Sequence, residues 1–145
     1  MKEVKGNIWN YYNKGCWIVI TTNGTVKNNG EAVMGRGVAL QAKNRFPELP
    51  KILGDLLKKY GNQVYYITTI HIFTFPVKHN WYEKADLDLI EKSCRELGRS
   101  NCPGIEPYYM VRPGCGNGGL DWKNVKPILE KYLDDRFTIV EIGDR

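Results

Sequence analysis

Few residues in this chain have the type and spacing to do chemistry. Two stretches are dense in glycine: MGRG at 34–37 and GCGNGG at 114–119. Each lies between an apolar, β-rich run and a helical stripe, so each can present unpaired backbone N–H groups at a helix N-terminus. That geometry binds phosphate without needing a lysine. One such loop is common between a strand and a helix, but two at equivalent places suggest two phosphates, or one pyrophosphate held from both sides. Reactive side chains are scarcer. Lys78 stands in FPVKHNW at 75–81, after a strand-like run, and on its own reads as a solvated loop residue. Asn23 precedes Gly24 and on its own reads as a turn residue. Asp121 immediately precedes a helical stripe and is best explained as its N-cap. Cys115 lies between loop glycines with no histidine obviously paired with it, so a small packed thiol is expected. His79 either touches a substrate or is merely exposed.

Common nucleotide and metal motifs do not fit. No GxxxxGK[ST] is present, MGRGVA holds only two of the glycines of GxGxxG, and no acidic residue follows the first strand where a ribose partner would stand. The four cysteines, Cys16, Cys94, Cys102 and Cys115, form no CxxC pair. Neither a zinc site nor a disulfide framework is expected, nor any other cofactor, and the thiols read as reduced ones of a cytoplasmic protein. The formal net charge of +5 suits an anionic ligand. The basic residues are scattered among acidic ones, which fits a soluble surface better than a dedicated nucleic-acid face. No clear tract of interleaved aromatics and basics for single-stranded nucleic acid is apparent. No apolar run is long enough to span a membrane, and MKEVKGNIW has no hydrophobic segment behind its lysines, so no secretory signal is expected.

The 145 residues suit one domain spanning 1–145 with a sizeable core. Cys16 to Thr21, CWIVIT, reads as a strand covered on both faces. Ala39, Ala42 and Phe46 fall at helical spacing, and Leu53, Leu56, Leu57 and Tyr60 give a second stripe closed by Gly61. QVYYITTIHIFTFPV holds one long strand or two short ones. Asp86 then precedes a stripe of Leu87, Ile90, Cys94 and Leu97, with Gly98 expected past its end. Pro107 to Val111 reads as a strand. Trp122, Val125, Leu129 and Tyr132 form a last helix in which Pro127 predicts a late start or a kink. Phe137 to Ile142 closes as a strand. The alternation predicts an α/β layered domain with a mostly parallel sheet, with both glycine loops at carboxyl ends of strands, where such sheets bind ligands. No repeat, linker or low-complexity segment interrupts it.

GNI at 6–8, ITTNG at 20–24, VMGRGVALQAKNRFP at 33–47, FPVKHNW at 75–81 and GCGNGGLDW at 114–122 together resemble a macrodomain. Within that family they are most similar to the DNA ADP-ribosyl glycohydrolases found as bacterial antitoxins, and to eukaryotic relatives that remove terminal ADP-ribose. The resemblance spans nearly the whole chain, in order. It implies a three-layer α/β/α macrodomain fold with a central mixed, mostly parallel sheet, and an ADP-ribose cleft. It implies that Asn7 and Ile8 lie at the adenine, with asparagine in place of the family's usual aspartate. Thr22, Val33, Met34, Gly35, Arg36, Gly37, Val38 and Ala39 would face the ligand from one side. Pro113, Gly114, Cys115, Gly116, Asn117, Gly118, Gly119 and Leu120 would wrap the pyrophosphate and distal ribose from the other. Lys78 matches an essential lysine of the hydrolases, acting on C1″ as a nucleophile or stabilising charge on a departing base. Asn23 matches the asparagine beside the distal ribose. Gly118 stands where the eukaryotic relatives carry a catalytic aspartate, so a lysine-centred mechanism is implied instead. Three activities are open at this point: a glycohydrolase acting on a modified nucleic-acid base or protein side chain, a phosphatase acting on ADP-ribose-1″-phosphate, and a reader that binds without turnover. The expected partner is ADP-ribose or an ADP-ribosylated substrate, ADP-ribosylated DNA among them, bound by a monomer without a membrane.

Overall fold

A computed structural model describes residues 1–99 and 104–142. Strands β1 (Lys2–Gly6), β2 (Ile18–Asn23), β3 (Tyr65–Ile67), β4 (Ile72–Lys78), β5 (Tyr108–Val111) and β6 (Phe137–Ile142) form one sheet in the order β1-β6-β5-β2-β4-β3. Every pairing is parallel except β3 with β4. The helices are α1 (Ile8–Asn13), α2 (Gly37–Arg45), α3 (Leu49–Tyr60), α4 (Leu87–Arg99) and α5 (Trp122–Tyr132).

Alternation within the strands builds two cores. Val19, Phe73, Phe75, Tyr108, Met110 and Phe137 face one side, where Ile90, Cys94 and Leu97 of α4 and Val125 and Leu129 of α5 meet them. Ile18, Ile20, Ile72 and Val140 face the other, against Ile8 and Trp9 of α1, Ala42 of α2 and Leu49, Leu53 and Leu57 of α3. A sheet apolar on both faces must be covered on both, which is why CWIVIT is unbroken by polar residues. The result is the three-layer α/β/α arrangement with a mixed, mostly parallel sheet that the sequence leads one to expect. Burial pushes the Cys94 thiol up to about 12, so it serves as an inert packing group.

Several boundaries differ from expectation. The first central strand starts at Ile18 and runs on to Asn23, bringing that residue to the sheet's end. QVYYITTIHIFTFPV holds two strands around a 3₁₀ turn at Thr68–Ile70. Gly98 lies inside α4, where a Cβ would come within 2.4 Å of the Tyr132 carbonyl; it is there for close helix packing, not termination. Leu87 is exposed, and Leu89 joins the buried stripe in its place. Helix α5 begins at Trp122 with Pro127 inside it, so there is no late start. Strand β1 and helix α1 are additions to the expected elements. Cys102 lies outside the described residues. Among those described, no helix is long and apolar enough to cross a membrane.

Candidate functional site

Because β1, β6, β5, β2 and β4 run parallel, Gly6, Val111, Asn23 and Lys78 all arrive at one end of the sheet. The β2–β4 register shifts between Thr22 and Asn23: Thr22 faces Pro76, but Asn23 faces Lys78. This irregularity makes Asn23 and Lys78 cross-strand neighbours and turns both toward the loops beyond. Asn62 Nδ2 donates to the Lys78 carbonyl at 3.1 Å, and the Gly24 amide donates to the His79 carbonyl at 3.1 Å, so the backbone here is fixed from two sides.

The half-buried Lys78 side chain reaches between two loops. Its Nζ donates to the carbonyls of Trp81 at 3.4 Å and Asn117 at 3.5 Å. Both contacts are long, so the ammonium is positioned without being tightly engaged. A cavity of about 370 Å³ opens beside it, with Arg36, Asn117, Gly118 and Gly119 from the glycine loops on its walls. Trp81, Tyr82, Glu83 and Lys84 close the remaining side. The two glycine loops meet here: a Cβ on Gly37 would lie 3.3 Å from Asn117 Nδ2.

The glycines of 114–119 do different things. Gly114 has φ +75°, and a Cβ on Gly118 would fall 2.5 Å from the Gly114 carbonyl oxygen and 2.8 Å from Ala85 Cβ. Both are required by the loop's own packing, and no side chain, the relatives' aspartate included, fits at Gly118 as the loop stands. At Gly116 a Cβ would meet nothing within 4 Å and the backbone is unstrained; Gly35 in the other loop is the same. Neither fold nor packing asks for glycine at these two places. They are the positions where an approaching group would benefit from a bare backbone. Helix α2 adds donors: its N-cap, Arg36, makes no side-chain cap bond, so the first-turn N–H groups beginning at Gly37 are free of one.

Other expected site residues fare unequally. Asn23 Oδ1 accepts from the Thr25 amide at 2.9 Å, and its Nδ2 donates to the Val33 carbonyl at 3.1 Å, so it builds the turn as well as facing Lys78. Asn7 is the N-cap of α1, accepting from the Trp9 amide at 3.0 Å, and is exposed. Ile8 and Met34 are buried in the core, so their side chains serve packing, and Thr22 is also buried. Val38 and Ala39 pack against the same core from the first turn of α2. Pro113 is buried, and the Leu120 amide ties the loop shut on the Gly114 carbonyl at 2.9 Å. Neither Asn7 nor Ile8 lines the cavity beside Lys78.

Asp121 occupies the N-cap position of α5 but its carboxylate makes no cap bond; its backbone carbonyl accepts from Asn124 instead, which corrects the side-chain capping role expected of it. Burial pushes the Cys115 thiol up, and its Sγ sits 3.5 Å from the Pro113 carbonyl, as suits a packed thiol and not a nucleophile. His79 Nε2 lies 2.8 Å from Asp86 Oδ2, and that hydrogen bond is the main cause holding the Asp86 carboxyl below its ordinary range. Sequence reasoning passed over Trp81, Tyr82 and Lys84. The signal available was KHNWYEK at 78–84, in which an aromatic pair stands between two lysines.

No family model matches the chain. It is 28% identical over 134 residues to a DNA ADP-ribosyl transferase–DNA ADP-ribosyl glycohydrolase fusion protein of Thermosipho africanus, a match covering 75% of this chain and 34% of that one. It is 29% identical over 119 residues to the ADP-ribose glycohydrolase OARD1 of Bos taurus, covering 73% and 72% respectively. The chain spans about a third of the length of the DNA ADP-ribosyl glycohydrolase relatives. In structure it is similar to the macrodomain of Mycobacterium tuberculosis DarG, with a TM-score of 0.71 and 28% identity over 88% of each chain.

Proposed function

We propose that this chain, which has the macrodomain fold, binds ADP-ribose at the carboxyl ends of β2, β4 and β5 and hydrolyses the bond joining it to a nucleic-acid base or a protein side chain. The observation that carries this reading is that Lys78, its Nζ donating to the Asn117 carbonyl, lines one cavity with Arg36, Asn117, Gly118 and Gly119 of the two glycine loops, whose outward glycines, Gly35 and Gly116, face open space. The uncapped α2 N-terminus and the bare backbone at Gly116 suit a pyrophosphate held by N–H groups. The distal ribose then lies toward Lys78, with Asn23 across the strand pair to orient it. In the reaction the bond from C1″ to the leaving group breaks, water supplies the new oxygen on C1″, and its proton balances the departing base. As an ammonium, Lys78 stabilises charge on the leaving group; as an amine, it attacks C1″ itself. Relatives bearing glycohydrolase names support this direction.

Arg36, Lys78 and Lys84 around one cavity would also hold a terminal phosphate, which is the observation favouring phosphatase action on ADP-ribose-1″-phosphate as the second reading. Single-turnover assays of the protein against ADP-ribosylated single-stranded DNA, ADP-ribosylated peptide and ADP-ribose-1″-phosphate separate the readings. Release of ADP-ribose from either of the first two is expected. Phosphate release alone would transfer the assignment to the phosphatase, and binding without any turnover would leave a reader.

A further inference from the structure

We propose that Glu3, on the edge strand β1, is a positioning residue for the glycine loop at 114–119: its carboxylate ties the two ends of that loop together and so aims the loop's backbone donors at the ligand. This rests on the ADP-ribose reading of the cleft and adds a residue to it. The loop leaves β5 at Arg112 and enters α5 at Trp122. Glu3 Oε1 accepts from Trp122 Nε1 at 3.1 Å and lies 3.8 Å from Arg112 Nη2. Those two ends also meet each other: Arg112 Cζ stands over the Trp122 indole, 4.9 Å from the ring centroid. Glu3 Oε2 is held in turn by Lys126 Nζ of α5 at 2.6 Å. The Lys126 hydrogen bond is the largest cause holding the Glu3 carboxyl below its ordinary range, with the Trp122 bond adding to it, so the group is a carboxylate at neutral pH. One side chain from the edge of the sheet thus reaches both the end of a strand and the start of a helix.

Packing does not do this work. Arg112 borders a cavity of about 290 Å³ that is lined also by Glu3, Val4, Lys5, Ile139 and Glu141, so no close-packed neighbour fixes the guanidinium from that side. Its buried Nε meets no acceptor among the described residues. What holds it is the indole and two carboxylates, Glu3 and Glu141, the second 3.4 Å from Nη2. Bonds inside the loop fix its shape but not its tilt on the sheet. Beyond them, the Ala85 amide moors the Gly118 carbonyl at 2.9 Å. Gly116 lies between that mooring and the end at Arg112, so its direction depends on both. Half-exposed ion pairs add little to stability, so the effect of the tie belongs to orientation and not to the fold. Glu141 supplies a control. It carries the same charge and also contacts Arg112, but only Glu3 bonds Trp122 as well. If charge were all that mattered, removing either carboxylate would favour an anionic ligand. If the tie matters, removing Glu3 weakens binding and removing Glu141 does not.

The test is calorimetric titration of ADP-ribose into the parent, Glu3→Met, Glu141→Met, Trp122→Phe and the Glu3→Met/Trp122→Phe double variant, with amide hydrogen exchange of the same proteins. Glu3→Met is expected to weaken binding roughly tenfold through lost pre-organisation of the loop. Trp122→Phe keeps a ring under Arg112 but loses the N–H, and should weaken binding comparably. The double variant should fall within about twofold of either single one, because the two changes remove one interaction. Glu141→Met should bind within about twofold of the parent, or more tightly. Exchange at the Gly119 and Leu120 amides should quicken about tenfold in Glu3→Met, while the Tyr109 amide of β5, bonded to the Trp17 carbonyl, exchanges as in the parent. Unchanged or tighter binding in Glu3→Met overturns the proposal, as does an equal loss in Glu141→Met. Weaker binding without faster exchange in the loop overturns it too, since the loop then has not been released. Failure of the underlying reading looks different: a parent that does not bind ADP-ribose refutes that reading, and exchange in the loop still decides whether Glu3 ties it.

Discussion

The loops after β4 and after β5 leave neighbouring regions of the same sheet end, yet they are built on opposite plans. The loop at 114–119 has almost no side chains and closes on itself, with the amides of Gly119 and Leu120 donating to the carbonyls of Gly116 and Gly114. The loop at 78–84 is rich in side chains and leaves most of them outside: Lys78 half-buried, and His79, Trp81, Tyr82, Glu83 and Lys84 exposed. One supplies backbone donors in a fixed shape. The other supplies charge, a reactive nitrogen and aromatic surface. Under the proposed function, the contrast means that holding ADP-ribose and acting on it fall to different loops, so that each should be removable without the other.

The largest effect should come from the reactive loop. Lys78→Ala is expected to slow release of ADP-ribose by ~10²-fold or more in single turnover, the scale of losing a positioned catalytic group. Lys78→Arg sharpens this: a guanidinium keeps the charge but cannot attack, so recovered activity identifies charge stabilisation and a dead variant identifies attack by the amine.

The glycine loop should answer first in stability. Gly118→Asp, which restores the eukaryotic relatives' carboxylate, drives a Cβ to 2.5 Å from a backbone oxygen. It should destabilise by about 1–3 kcal/mol or more in urea denaturation. Gly116→Ala, where nothing stands within 4 Å, should stay within ~1 kcal/mol of the parent. Similar losses in both would mean that the loop does not distinguish its glycines as described.

Asn7→Ala removes the cap of α1 and should cost ~0.5–2 kcal/mol of stability. If Asn7 also reads adenine, affinity for ADP-ribose falls while that for ribose-5-phosphate does not. Equal changes for both ligands would leave it a cap alone.

The smallest effect concerns pH. The His79 hydrogen bond holds Asp86 below its ordinary 3.8. A carboxylate with a depressed folded pKa stabilises above the unfolded value, and that contribution is lost as pH falls from about 4 through the lower, folded value. Asp86→Asn should therefore lower stability at neutral pH slightly and flatten the acid limb of a pH titration of Tm.

How much of this was legible in the letters follows from burial. Strands β2, β4 and β6 are apolar on both faces, and α3 to α5 carry buried stripes, so their patterns survive in sequence. Strand β1 is a sheet edge whose sole apolar residue is Val4, and α1 is six residues long, so neither has a pattern to detect. GCGNGG is plainly a loop, but nothing in its spelling says that Gly116 faces outward and Gly118 inward; only the closed turn does. Lys78 was legible through the motif around it, whereas its position opposite Asn23 depends on a shift in strand register. KHNWYEK shows an aromatic pair flanked by lysines openly, but that Trp81 is pinned by its backbone and bare at its ring is a property of the folded end of β4.

The division between the two loops is tested most directly by calorimetric titration of ADP-ribose into the parent protein, Gly116→Glu and Lys78→Ala. A carboxylate on the outward face of the glycine loop should abolish binding with the fold intact, while Lys78→Ala should bind within about threefold of the parent, since the proposed pyrophosphate site is made of backbone donors elsewhere. Unchanged affinity in Gly116→Glu together with lost affinity in Lys78→Ala would contradict the account, because the ligand would then be held by the loop assigned to the chemistry.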